Sequence, residues 1–204
     1  MRLMVAPYSE QQAGRPASGQ ALLAQYADTS IVVYRAYRPA LGHFAARAGY
    51  FGGEFSFTRM SRVKPGFLWL MHRSGWGRKP GQEVTLAVHI QRAGFDELLR
   101  QAVPSSYQEK QYQSKADWQY AVQGSQVRVQ WDPDRDPSGA PLARRVIQLG
   151  LRGEALARYA REWIVEIEDI SAFVEEQRAH VGGDNSRLLV PLARVYPLEH
   201  PAPG

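Results

Sequence analysis

Apolar positions recur along the chain with two periods, and each period predicts a different element. IVVYRAY at 31–37 is β-branched and aromatic with few interruptions, as in a buried strand. Pro39 suits a first helical turn, residues 40–48 have helical composition, and Gly49 closes them. The first predicted unit is therefore strand, turn, helix and glycine. Alternation returns at 82–91, with Val84, Leu86, Val88 and Ile90 on one side and Thr85 and His89 on the other. Residues 127–131 and 145–151 predict a hairpin, because DPDRDPSG at 132–139 is the clearest turn cluster and Asp136–Gly139 suits its tip. FLWLM at 67–71 is a short continuous apolar run, and it predicts a buried strand over 67–72.

Helical patterns are predicted at 20–26, at 95–102 before Pro104, at 116–122 and at 154–161. Another runs from Ser171, a good N-cap residue, to His180, and Gly182-Gly183 ends it. Residues 50–58 read as a loop or irregular hairpin, and the apolar segment 163–170 fits either helix or strand. Pro191 makes 188–196 an edge strand. Pro7, Gly14, Pro16 and Gly19 make residues 1–19 a mobile leader or a packed arm, followed by one domain over 20–197 and a tail at 198–204. The sum is an α+β fold with a mostly antiparallel, split sheet and short flanking helices. A length of 204 residues suits a single domain of this kind.

Composition narrows the chemistry more than the fold. The chain has no cysteine, which excludes disulfides, thiolate metal sites and a cysteine nucleophile. Its five histidines have no metal-type spacing, so no metal site is expected. No apolar window has signal-peptide or membrane-spanning length, which makes a cytoplasmic, membrane-free protein the expectation. There is no phosphate-loop, dinucleotide or nucleophile-elbow motif. The net charge of +5 is modest and fits solubility as well as phosphate binding.

Distribution of charge is more informative than its sum. Between Glu54 and Glu83 there is no acid, while Arg59, Arg62, Lys64, Arg73, Arg78 and Lys79 alternate with Phe67, Trp69 and Trp76. Cations mixed with aromatics suit a planar anion: a nucleotide, a dinucleotide or a nucleic-acid strand. Arg73 and Ser74 would grip a pyrophosphate, and Trp76 would stack on a base or nicotinamide. Glu83 would stabilise an oxocarbenium ion or orient a ribose hydroxyl. On the first strand, Tyr34 and Tyr37 are further binding candidates. Arg35 points opposite to Tyr34 unless a bulge intervenes. Gln130 and Gln148, on the two hairpin strands, could read a nucleobase edge.

Several phrases together carry a resemblance. IVVYRAYRP at 31–39, KPGFLWLMHRSGW at 64–76, GQE at 81–83, VRVQWDPDR at 127–135, RVIQLGL at 145–151 and IEDIS at 167–171 resemble the family called domain of unknown function 4291, over about residues 20–195. Arg35 stands where that pattern has Gln, and Gly66 where it has Ser. The name implies no activity. The order of elements is also similar to the ADP-ribosyltransferase layout, which implies NAD as cofactor, with Arg35 or Tyr34, Ser74 and Glu83 at the matching positions. Two functions are thus expected in parallel: an NAD-dependent ADP-ribosyltransferase-like enzyme, or a non-catalytic nucleic-acid-binding domain.

Overall fold

In chain order the computed structural model, which describes residues 3–198, begins with β1 (Val5–Pro7), α1 (Tyr8–Gln12), β2 (Gly19–Gln20), β3 (Leu23–Ala24) and β4 (Ser30–Tyr37). It continues through α2 (Pro39–Ala48), β5 (Ser61–Val63), α3 (Phe67–Ser74), β6 (Val84–Gln91), α4 (Arg92–Gln101) and β7 (Val103–Pro104). The second half comprises α5 (Lys115–Gly124), β8 (Val127–Arg135), β9 (Pro141–Leu151), α6 (Gly153–Arg161), β10 (Ile164–Asp169), α7 (Ser171–Arg178), β11 (Leu189–Pro191) and β12 (Arg194–Val195). The result is an α+β fold whose sheets mix antiparallel and parallel pairings, with helices flanking them. No described helix is long and apolar enough to cross a membrane.

Two sheets carry the architecture. One is antiparallel, in the order β10-β6-β4, with Val33 opposite Val88 and Glu168 opposite Ala87. The other has the order β2-β9-β8-β7, with β5 also paired to β9. Its central β8–β9 hairpin is antiparallel, whereas β2 and β7 join in parallel. Both faces of β4 and β6 are covered, which is why the β4 run is apolar without a break. Ile31, Val33, Leu86, Val88 and Ile90 pack with Val127, Val129, Leu149, Phe95, Leu156 and Tyr159. Val32, Tyr34 and Ala87 on the opposite face meet Phe67, Leu70 and Met71 of α3 and Val174 of α7. Each such aliphatic side chain contributes about 1.5–3 kcal/mol by leaving water.

The largest departure from the sequence reading is at 67–72, which is helical and not a strand. Five adjacent apolar residues fit either element, but Phe67, Leu68, Leu70, Met71 and Ser74 are the buried ones, at helical spacing. Gly75 ends the helix with φ +58 and donates its N–H to the Met71 carbonyl, a conformation that costs glycine little. Residues 20–26 supply β2 and β3 in place of a helix. Their backbone is drawn into tertiary pairing, with Ala21 N–H bonded to the Arg145 carbonyl and Val32 N–H to the Gln25 carbonyl. Ser171 is the first helical residue and Ile170 the cap; the Ser171 hydroxyl donates to Asp169 and accepts from Thr85 N–H.

The remaining readings resolve as follows. Segment 163–170 contains β10. Segment 188–196 divides into β11, paired with β1, and β12, paired with β3. The residues before 20 thus include an arm whose β1 lies along β11 and whose Tyr8 N–H bonds Leu188. β8 runs past Asp132-Pro133 to Arg135, accommodating the proline by a register shift. Residues 1–2, and 199–204 of the expected tail, lie outside the described residues.

Candidate functional site

The site begins where the two sheets part. β4 pairs with β6 along one edge, and its other edge carries two isolated bridges, Ile31 with Tyr26 and Tyr34 with Lys64, the second closed by Tyr34 N–H donating to the Lys64 carbonyl at 2.7 Å. Pro65 has no N–H to extend that ladder. The chain turns at Gly66 into α3, so Lys64 is held at the seam between sheet and helix. One residue beyond the bridge, Arg35 is fixed by neighbours on both sides of the seam. Its Nε donates to the Tyr37 hydroxyl at 2.9 Å, Nη1 donates to the Arg62 carbonyl, and the guanidinium lies 4.7 Å from the Tyr37 ring centre. Arg73 arrives from the last turn of α3, where a cation is favoured by the exposed carbonyls.

These side chains face one cleft of about 540 Å3. Arg35, Arg59, Arg62, Lys64 and Arg73 line it with Gln82 and the apolar side of Leu70, and no acid does. Among the described residues none of the five cations is ion-paired with a carboxylate. Unpaired cations around an acid-free cleft attract and hold an anion, and a guanidinium can grip a phosphate with two bonds at once.

Lys64 is the exceptional member. It is 8% exposed, and its Nζ lies 3.1 Å from the centre of the Trp69 ring. Burial lowers its pKa to about 6, helped by Arg35, Arg62 and Arg73 and opposed by Asp132. Asp132 is itself held by Gln130, which donates to it at 2.7 Å and accepts from Gln148 at 3.2 Å. The stability consequence has a definite sign. From pH 10 down to pH 6 or so the unfolded lysine holds a proton that the folded one lacks, so acidification favours unfolding, and below that window the penalty is constant. Lys64→Met removes the penalty. Its stability relative to wild type, read from urea unfolding, is expected to rise as pH falls from about 10 to about 6 and then level off.

The residues singled out in the sequence divide among several places. Arg35 and Arg73 share the cleft, and Tyr37 braces Arg35 from behind. Trp76 and Glu83 are together, but in a second pocket of about 340 Å3 with Ser171 and Arg178. Trp76 follows Gly75 in a left-handed turn, φ 55, and sets its ring edge against Phe67. Glu83 accepts from Gly81 N–H at 2.9 Å. Ser74 is fully buried, and its hydroxyl accepts from Gly77 N–H, which fixes the turn. Tyr34 is buried against Phe67; burial, and next Glu168, raise its pKa, and its hydroxyl has no hydrogen-bond partner among the described residues. Gln130 is exposed on the hairpin and bonded as above.

Two features escaped the sequence reading. Lys64 counted there as one cation among six, although the chain has four lysines against twenty-one arginines, so a lysine beside the apolar run was itself a signal. The other is a potential metal-holding group, His89, Glu166 and Glu168, whose donor atoms lie within 4.8 Å of one another. His89 Nε2 is 2.5 Å from Glu168, and burial keeps the imidazole pKa low against the pull of that carboxylate. The three come from paired strands, β6 and β10, so no linear spacing announces them.

A family model described as Domain of unknown function (DUF4291) matches residues 21–196, which takes in the cleft, the second pocket and the hairpin. No curated protein matches the chain.

Proposed function

Since the chain belongs to the DUF4291 family over residues 21–196, and that description carries no activity, we propose from geometry that its function is to bind the phosphates of a nucleotide or dinucleotide in the Arg35–Arg73 cleft. The observation that carries this reading is the group of four arginines, none paired with a described carboxylate, that lines one acid-free cleft with Lys64 at the parting of two sheets. NAD is the dinucleotide of first interest. Its pyrophosphate fits the donors of Arg35, Arg62 and Arg73, and Leu70 offers an apolar side to a ring or ribose. ADP-ribosyl transfer would need a carboxylate at the reacting carbon, and Glu83 sits with Trp76 in the second pocket. Phosphate binding in the Arg35–Arg73 cleft needs no such carboxylate.

Calorimetry with ADP, NAD, adenosine and a single-stranded RNA tests this. ADP and NAD are expected to bind with Kd below about 1 mM, or about 4 kcal/mol, and adenosine not to bind. Equal binding of adenosine and ADP would remove the phosphate from the reading. A nucleic-acid function would instead show RNA binding far tighter than ADP, falling steeply with salt as counterions are released.

A further inference from the structure

We infer that Lys64 is a nucleophilic amine that forms an imine with the aldehyde of a phosphorylated sugar held by the cleft arginines. This rests on the phosphate-binding reading and adds a reaction to it. Arginine serves an anion-binding wall as well as lysine or better, and this chain uses arginine almost everywhere. At the most enclosed of the basic positions on that wall it has lysine, the one basic side chain of the five that can lose its proton near neutral pH.

Geometry isolates that amine. Tyr34 N–H and Pro65 fix its backbone at the seam, the Trp69 ring covers one side of Nζ, and no described carboxylate pairs with it. Charged groups face it from every neighbouring element: Arg35 on β4, Arg62 on β5, Arg73 on α3 and Asp132 on β8. Three guanidiniums disfavour a further positive charge, and one carboxylate favours it. The Trp69 ring face favours an ammonium, but burial and the three guanidiniums act against it. The amine is therefore free to attack while its neighbours keep their charge for the phosphate.

The step balances without another reactant. The Nζ lone pair attacks the carbonyl carbon, a C–N bond forms and the C=O π pair moves to oxygen. Proton transfer from nitrogen to oxygen gives a carbinolamine. Loss of its hydroxyl with a second proton releases one water and leaves a C=N bond to Lys64. The guanidiniums hold the phosphate and so raise the local concentration of aldehyde at the amine.

Ribose 5-phosphate with sodium cyanoborohydride tests the inference on the full chain, because hydride addition to C=N fixes the adduct for peptide mass mapping. Lys64 is expected to be labelled at least about tenfold faster than Lys79, Lys110 or Lys115, and inorganic pyrophosphate is expected to suppress that label. Unphosphorylated ribose should label Lys64 no faster than the other three. Even labelling of all four lysines, or none at Lys64, overturns the proposal, and it needs no variant that could misfold. Pyrophosphate binding to wild type without a Lys64 adduct would defeat the imine alone. Equal labelling by ribose and ribose 5-phosphate would defeat the phosphate-binding reading and the substrate class proposed here.

Discussion

Asp134→Ala is expected to lower unfolding stability by about 3–5 kcal/mol, the scale set by breaking a buried ion pair from one side. Asp134 and Arg144 are 6% and 5% exposed and meet at 2.7 Å near the far end of the β8–β9 hairpin. Arg15 of the N-terminal arm stands close enough for Asp134 to favour its charge and Arg144 to disfavour it. Without the carboxylate, two guanidiniums face each other in a largely dehydrated space, and Arg144 already has one nitrogen, Nη2, without a hydrogen-bond partner among the described residues. The double variant Asp134→Asn, Arg144→Met is expected to recover much of the loss, since the buried Arg144 charge is removed with its partner and no longer opposes Arg15. Urea unfolding of both variants checks this, and a cost below about 1 kcal/mol for Asp134→Ala would mean water reaches the pair.

Arg73→Met is expected to weaken ADP binding by about 10- to 150-fold with little change in melting. A hydrogen bond to a charged group is worth about 1.5–3 kcal/mol, which converts to that range. Arg73 has no carboxylate partner among the described residues and lies on the exposed side of α3. Its removal should therefore cost the fold no more than about 0.5 kcal/mol. Arg35 differs, because it ties Tyr37 to the Arg62 carbonyl across the seam. Arg35→Met should lose both affinity and some stability, so Arg73 is the cleaner probe of binding.

The sequence was most legible where one period dominated. The β4 run, the α2 helix with its Gly49 end and the β8–β9 hairpin around Asp136–Gly139 follow from local pattern and turn chemistry. It was least legible at 67–74, where five adjacent apolar residues erase the difference between the two periods and only burial on both sides resolves them. That one change moves the chemistry. Read as a strand, 67–72 would send Arg73, Ser74 and Trp76 into one pocket. As a helix ended by Gly75, it leaves Arg73 at the cleft, buries Ser74 and turns Trp76 toward Glu83 and Arg178. The acid-free interval contains most of the cleft's cations, but it does not show which of them converge. Arg78 lines the second pocket, while Arg59, Arg62 and Lys64 join Arg35 from β5 and the residues that flank it. The seam that gathers them is a tertiary feature, closed by one bridge thirty residues apart in sequence.

Two arginines, one in each pocket, give the most direct test of the claim that the Arg35–Arg73 cleft is the nucleotide-phosphate site. ADP calorimetry at one fixed salt concentration should be run on wild type, Arg73→Met and Arg178→Met, with melting followed for each. Phosphate binding in the cleft requires that Arg73→Met lose at least about tenfold in affinity, one charged hydrogen bond, while Arg178→Met stays within twofold of wild type. The reverse order, with Arg178→Met crippled and Arg73→Met unchanged, would place the ligand beside Trp76 and Glu83 and contradict the claim.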